Sequence, residues 1–255
     1  MNNTAVKVLK ILDYIATAPT ASGVSEISRA LGYAKSSVFD ILSVLRDEKY
    51  IEYENEAAKT FKIGIKCYQI GSGYLKNTGL HKAAKPIMER LSRETGETVF
   101  LAIEDDGCIV YLDKVTGSSP FVFMCDIGAR NLMQVTGIGK AMLAGYPNAE
   151  LARIVGDKLE RRTQNSIVDL SSLISEMNHI RDVGYAVDYG EDNESVRCIG
   201  APIRDHSQKI IAGISVSMLS SVFTEEMKEK TITAVTKAAK EISQKLGYLK
   251  EQLYH

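Results

Sequence analysis

Ser215 and Ser217 stand two residues apart in an apolar run, Ile210 to Met218, where they alternate with Ile214, Val216 and Met218. Successive side chains of a strand point to opposite faces. Both hydroxyls and Gly213 therefore share one face, opposite the apolar triplet. Two hydroxyls side by side there suit a pocket wall, or else a pair satisfied by backbone and water. Asp188, between Val187 and Tyr189, points opposite to both neighbours, and Cys198 leads the intervening β-rich run. For these the plain alternatives are a surface ion pair or turn contact and a small core residue. Thr136-Gly137-Ile138-Gly139-Lys140 opens a short helix, whose first amides attract anions. The combination suits a small hydroxylated carboxylate, its anionic end on the amides of Gly137 to Gly139 and its hydroxyls toward Asp188, Ser215 and Ser217. A phosphate-binding loop is excluded: Gln134 stands five residues before Gly139, where that loop needs glycine, and Ala141 follows the lysine where it needs Ser or Thr. A thiol nucleophile at Cys198, served by His179 or His206, is the enzymatic alternative; no local motif accompanies it.

The elements that would position these groups run from Leu80 onward. Ala84, Ile87, Met88 and Leu91 mark a helix closed by Gly96. Thr98 to Ile103 and Cys108 to Val115 read as strands joined by the hairpin signal Glu104-Asp105-Asp106-Gly107, and Phe121 to Cys125 as a third strand. Helices follow at Gly139 to Ala144, Ala149 to Val155 and Leu170 to Val183. Strands return at Tyr185 to Tyr189, Cys198 to Arg204 and Ile210 to Met218, and Thr224 caps a final helix through Leu246. Strands in hairpin pairs predict an antiparallel sheet packed by helices, hence an α+β class.

The first quarter of the chain has a different organisation. Val8, Ile11, Leu12 and Ile15 predict a helix ended by Pro19. Ser22 or Ser25 can cap a second helix bearing Val24, Ile27 and Leu31, and Gly32 suits the tight turn after it. A third helix, from about Ala34 to Tyr50, buries Val38, Ile41, Leu42 and Leu45. Tyr50 to Tyr53 and Thr60 to Ile63 then form a ribbon. This is the layout of a winged helix-turn-helix. In that arrangement the start of the second helix of the pair enters the major groove of duplex DNA, which places Lys35, Ser36, Ser37, Phe39 and Asp40 at the bases and phosphates. Lys59 and Lys62 on the ribbon are the candidate phosphate contacts. Any three-helix domain with a hairpin shows this pattern, and some winged helices bind proteins instead. The acids Asp40, Asp47, Glu48, Glu52, Glu54 and Glu56 leave this end only weakly basic.

Between the two parts, Ile65, Tyr68, Ile70 and Leu75 predict a connecting helix interrupted at Gly71-Ser72-Gly73. The expected domains are therefore residues 1–63, a linker helix at 64–79, and residues 80–255. A length of 255 residues accommodates this, and the formal net charge of −1 implies modest non-specific attraction to DNA. No stretch approaches a membrane span, and no secretory signal is visible. Cys67, Cys108, Cys125 and Cys198 are scattered, and neither they nor the four histidines show metal-ligand spacing. A cytoplasmic protein with reduced thiols and no metal or cofactor is expected.

Several short stretches carry a resemblance through their order and spacing: Ser25-Glu26-Ile27-Ser28 with Leu31-Gly32; Lys35-Ser36-Ser37-Val38-Phe39; Phe61-Lys62-Ile63-Gly64; Gly128 with Arg130; Thr136-Gly137-Ile138-Gly139-Lys140-Ala141; Gly184-Tyr185-Ala186; Arg197-Cys198-Ile199; and Ala212-Gly213-Ile214-Ser215-Val216-Ser217. Over nearly its whole length the chain resembles the IclR family of bacterial transcription regulators. The resemblance implies an N-terminal winged helix, a linker helix, and a GAF-like C-terminal domain that binds a small effector. It also implies homo-oligomers, dimers or dimers of dimers. Carried over by position, the effector contacts are Gly137, Ile138, Asp188, Val196, Cys198, Ser215 and Ser217. The DNA contacts are Lys35, Ser36, Ser37 and Phe39, with the wing around Lys59 and Lys62. Two departures stand out: Asp40 where the family usually has arginine, and Gln134 where it usually has histidine, at the expected pocket entrance. The expected function is an operator-binding regulator, a repressor rather than an enzyme, controlled by a sugar acid or keto acid. A winged-helix protein-interaction module with a sensor domain is the alternative.

Overall fold

A computed structural model describes residues 3–119, 125–156 and 158–254, with the side chains of 3 and 74–78 left aside. The chain divides into two compact units, residues 1–78 and 79–255.

The first unit contains α1 (Asn3–Thr17), α2 (Val24–Leu31), α3 (Lys35–Asp47), the antiparallel hairpin β1 (Ile51–Asn55) and β2 (Thr60–Ile63), and α4 (Ile65–Thr78). Ile11, Ile27, Val38, Leu42, Ile51 and Phe61 form its buried core. The cap of α2 is neither serine. Gly23 occupies that position, and Glu26 Oε2 accepts from its amide at 3.1 Å. Ser22 is committed elsewhere, since its carbonyl accepts from Phe61 N–H and ties the wing to the helix pair. Gly32 takes the left-handed turn as expected, with φ of 68°. α3 ends earlier than its apolar stripe suggests, because Lys49 adopts φ of 65° and Tyr50 N–H folds back onto Leu45 O. α4 corrects the expected interruption: the helix runs unbroken through Gly71, Ser72 and Gly73. Glycine in a helix costs only about 1 kcal/mol against alanine, so two of them weaken the segment without ending it.

The second unit opens with α5 (Leu80–Thr95), followed by β3 (Thr98–Asp105), β4 (Cys108–Val115) and β5 (Arg130–Leu132). Then come α6 (Gly137–Leu143), α7 (Asn148–Val155), α8 (Leu170–Val183), β6 (Ala186–Asp188), β7 (Val196–Arg204), β8 (Ile210–Leu219) and α9 (Glu225–Lys245). Six strands form one antiparallel sheet in the order β5-β4-β3-β8-β7-β6. The β3–β4 turn follows the hairpin signal, with positive φ at Asp106 and Gly107. The expected strand from Phe121 lies, apart from Cys125, outside the described residues. β5 carries no alternation long enough to be read from sequence.

Both sheet faces are covered. Ile214, Val216 and Met218 of β8 are wholly buried, and α5 and α9 pack against the sheet and each other. On the opposite face lies α6, and glycines admit it. A Cβ on Gly200 would stand 2.5 Å from Gly137 O, and one on Gly137 would stand 2.9 Å from Cys198 O. Backbone thus meets backbone, and the start of α6 is held beside the hydroxyl-bearing face of β8.

Candidate functional site

Strand register assembles the polar wall. Asp188 of β6 pairs with Cys198 of β7, which pairs with Ser217 of β8. Ser215 lies between Phe100 of β3 and Gly200 of β7. These groups line a cavity of about 550 Å³, together with Gly137, Ile138 and Val196. Gly139 is brought elsewhere: its amide donates to the Thr136 hydroxyl at 3.1 Å, and it packs against Met133. The open amides at the wall are therefore those of Gly137 and Ile138, which have no acceptor among the described residues.

Sequence reasoning missed the other side of the cavity. Phe100 and Tyr111 meet there with ring centroids 5.1 Å apart, and Asp126, Arg130, Asn131 and Asp192 complete the wall. Asn131 Nδ2 donates to Asp192 Oδ2 at 2.9 Å, and Arg130 is tied to Asp105. Alternation along β4 carries the signal for Tyr111, but Asp192 sits in a loop where spacing gives no direction. Gln134 is buried in a 3₁₀ turn and lies outside the cavity lining. Its departure from the family pattern therefore does not alter the wall directly.

Asp188 is 2 % exposed, and its Oδ1 accepts from Gly190 N at 2.8 Å and Glu191 N at 2.6 Å. Burial pushes its pKa up to about 7, against the pull of these amides and of Lys140. The Cys198 thiol lies 3.0 Å from Ser217 Oγ, and burial drives its pKa well above the usual value. A thiol held protonated in this way makes a poor nucleophile. Neither His179 nor His206 lines its cavity, so the proposed thiol and base do not meet. Ser215 Oγ faces the cavity with no partner among the described residues.

Behind β6 stands Lys140, whose sequence context showed only what it was not. It is 1 % exposed and donates to Glu191 Oε1 at 2.5 Å, Val187 O at 2.7 Å and Glu176 Oε1 at 3.0 Å. Burial opposes its charge, but the two carboxylates outweigh it and hold the ammonium protonated. Burial raises the pKa of Glu191 in spite of Lys140. Glu191, in the loop after β6, is thus part of the structure that holds Asp188.

In the first unit, Lys35, Ser36, Phe39 and Asp40 are exposed on the first turns of α3, and Ser37 is half-buried. Lys59 is exposed at the tip of the wing, with φ of 51°. Lys62 is exposed but engaged, 2.7 Å from Glu54 and 3.6 Å from Glu52. Arg46 is drawn back onto Tyr53 at 2.9 Å.

Two family models account for these two regions. Residues 4–55 match the IclR helix-turn-helix domain, and residues 72–244 match the bacterial transcriptional regulator IclR C-terminal domain. The chain belongs to the IclR family. The regulator KdgR of Escherichia coli is 32% identical over 227 residues, covering 89% of this chain and 86% of KdgR. The repressor AllR of Salmonella typhimurium is 32% identical over 240 residues, 94% of this chain and 88% of AllR. The fold also matches an IclR homolog from Microbacterium hydrocarbonoxydans complexed with 4-hydroxybenzoate. That match has a TM-score of 0.82 at 19% identity and covers 96% of this chain and 99% of the other. As an IclR-type protein the chain is a DNA-binding transcription regulator, in a family of regulators that are not enzymes, with a C-terminal domain of the effector-binding kind. Among the described residues no helix is long and apolar enough to cross a membrane, and no cluster of potential metal ligands is present.

Proposed function

We propose that this regulator is a cytoplasmic repressor whose hold on its operator is changed by a small hydroxylated carboxylate, a sugar acid or keto acid, bound in the C-terminal cavity. The observation that carries this reading is the row Asp188–Cys198–Ser217, with Ser215 beside it, facing the open amides of Gly137 and Ile138 across one cavity. Amides at a helix start favour a carboxylate. Asp126, Asp188 and Asp192 disfavour a second negative charge and accept from hydroxyls. A ligand with one anionic end and a hydroxylated body satisfies both, which favours a sugar acid over a bare keto acid. An IclR homolog of the same fold is complexed with 4-hydroxybenzoate, itself a hydroxylated carboxylate, and this supports the reading. The AllR relative supports repression as the output.

The effector acts only through its preference for one arrangement of the DNA-binding heads, and a coupling of about 1–3 kcal/mol changes operator affinity by roughly 5- to 150-fold. Two heads are needed for a site with two half-sites. The outward faces of α1, with Val6 and Leu9, and of α4, with Ile65 and Tyr68, are apolar and exposed. A second copy of the chain covers them in this reading, giving a dimer or a dimer of dimers. A gel shift on the DNA upstream of the gene, repeated with sugar acids and with simple keto acids, tests the whole scheme. A shift indifferent to every acid would remove the effector half of it.

The DNA-binding half rests on Lys35, Ser36, Ser37, Phe39 and Asp40, with Lys59 and Lys62 on the wing. Ser37→Glu places a carboxylate against the phosphates and is expected to weaken operator binding by about tenfold or more, roughly 1.4 kcal/mol. Unchanged affinity in that variant would take the start of α3 out of the groove.

A further inference from the structure

We propose that α3 reads its half-site through the C5 methyl group of a thymine packed on the Phe39 ring, with base contact rather than phosphate charge setting where the head docks. This rests on the DNA-binding reading of α3 above.

Residues 3–63 carry eight Lys and Arg against eight Asp and Glu, so the head offers phosphates no net charge. Several of those cations are already committed: Arg46 to Asp47 and Tyr53, Lys62 to Glu54, and Lys7 over the ring of Tyr33. The first turns of α3 hold one cation, Lys35, and Asp40 follows within two turns. Binding driven by counterion release scales with the number of phosphates neutralised, and this head can neutralise few. More of the affinity then falls to uncharged groups, hydroxyls and amides on phosphates and side chains that meet base edges.

The core needs of α3 are met by Val38, Ile41, Leu42 and Leu45. Phe39 is not among them: it is 57 % exposed and stacks on no ring of the described residues. One turn on, the Ser43 hydroxyl donates to Phe39 O at 2.9 Å, so it is turned back on the helix. A lone exposed apolar residue is ordinary on a protein surface. This one stands on the turns that enter the major groove, where the thymine C5 methyl is the apolar group among the hydrogen-bonding base edges. A phenyl ring has no strong donor or acceptor with which to read anything else there.

The test uses the full-length chain to select a duplex from a randomised pool. The selected duplex is then remade with deoxyuridine at each thymine in turn, which deletes only the methyl group. At one thymine per half-site the change is expected to weaken binding roughly three- to tenfold, the scale of one lost apolar carbon contact. Phe39→Ala is expected to lose that sensitivity, and Phe39→Leu to keep part of it, with thermal melting unchanged in both. Tolerance of deoxyuridine at every position, or equal sensitivity in Phe39→Ala, overturns the proposal while leaving the DNA-binding reading standing. Failure to select any duplex overturns both.

Discussion

Lys140→Met is expected to lower the unfolding free energy of the second unit by about 3–5 kcal/mol at pH 8, the cost of stranding a buried carboxylate without its partner. Methionine keeps an unbranched chain one atom shorter than lysine, so the change is mainly one of charge and hydrogen bonding. Three acceptors lose their donor together: Glu191 Oε1, Glu176 Oε1 and Val187 O. Glu191 suffers most, because it is 4 % exposed and its Oε2 already lacks a partner among the described residues. Burial has raised its pKa, so protonation offers an escape, and the loss should shrink at pH 5. Urea unfolding at both pH values measures this. Lys140→Met combined with Glu191→Gln should recover part of the loss, since the stranded charge is gone. A loss under about 1 kcal/mol at pH 8 would mean that water reaches the site and the triad is not sealed.

Asp188→Asn is expected to cut effector affinity by roughly 10- to 150-fold, the range for losing a hydrogen bond to a charged group, while leaving operator affinity without effector unchanged. The variant keeps the shape of the side chain and can still accept from Gly190 N and Glu191 N through its carbonyl oxygen. It loses the negative charge that draws hydroxyl donors. Calorimetric titration with a responsive acid, beside a gel shift without effector, separates the two effects. An unaltered titration would remove Asp188 from the effector's contacts.

The pKa of Asp188 gives this residue a second signature. Folding raises it from 3.8 to about 7. Such a group contributes stability below its unfolded pKa, and that contribution is lost as pH rises through the folded one. Between pH 4 and 7 the unfolded chain gives up this proton while the folded chain keeps it, so unfolding gains ground as pH climbs. The span is on the order of 4 kcal/mol, and it should be missing in Asp188→Asn. Effector binding should run the other way. Hydroxyls that donate to the carboxylate favour its ionised form, so affinity should climb between pH 6 and 8 as binding expels a proton. A flat profile across that window would show that the ligand does not donate to Asp188.

Most elements of the second unit were legible because their periods are long and clean. β4 and α8 have the bounds their patterns predict, and the alternation of β8 places Ser215 and Ser217 on one face as read. Short segments were not: β5 has three residues, too few for a period to show. The unbroken α4 shows the limit of composition as a guide, since glycine disfavours a helix by an amount that neighbouring turns can absorb. The cap of α2 shows another limit. Either serine has the right chemistry, but Ser22 is held by the wing, a contact between residues far apart in sequence.

Local chemistry by itself determined the two-part organisation, the polar, solvent-facing start of α3, and the hydroxyl row on β8. All of these follow from periodicity and from the donor and acceptor character of single side chains. Only the folded chain decided which distant residues meet. It set Lys140 against Glu191 and Glu176, brought Asp192 and Tyr111 to the cavity, and withdrew Gly139 from it. It also turned Lys62 toward its own acids. Strand register and helix docking set those distances, and neither is written in the spacing along the chain. For that reason the wall bearing Asp188, Cys198, Ser215 and Ser217 could be read from sequence, while the aromatic and charged side opposite it could not.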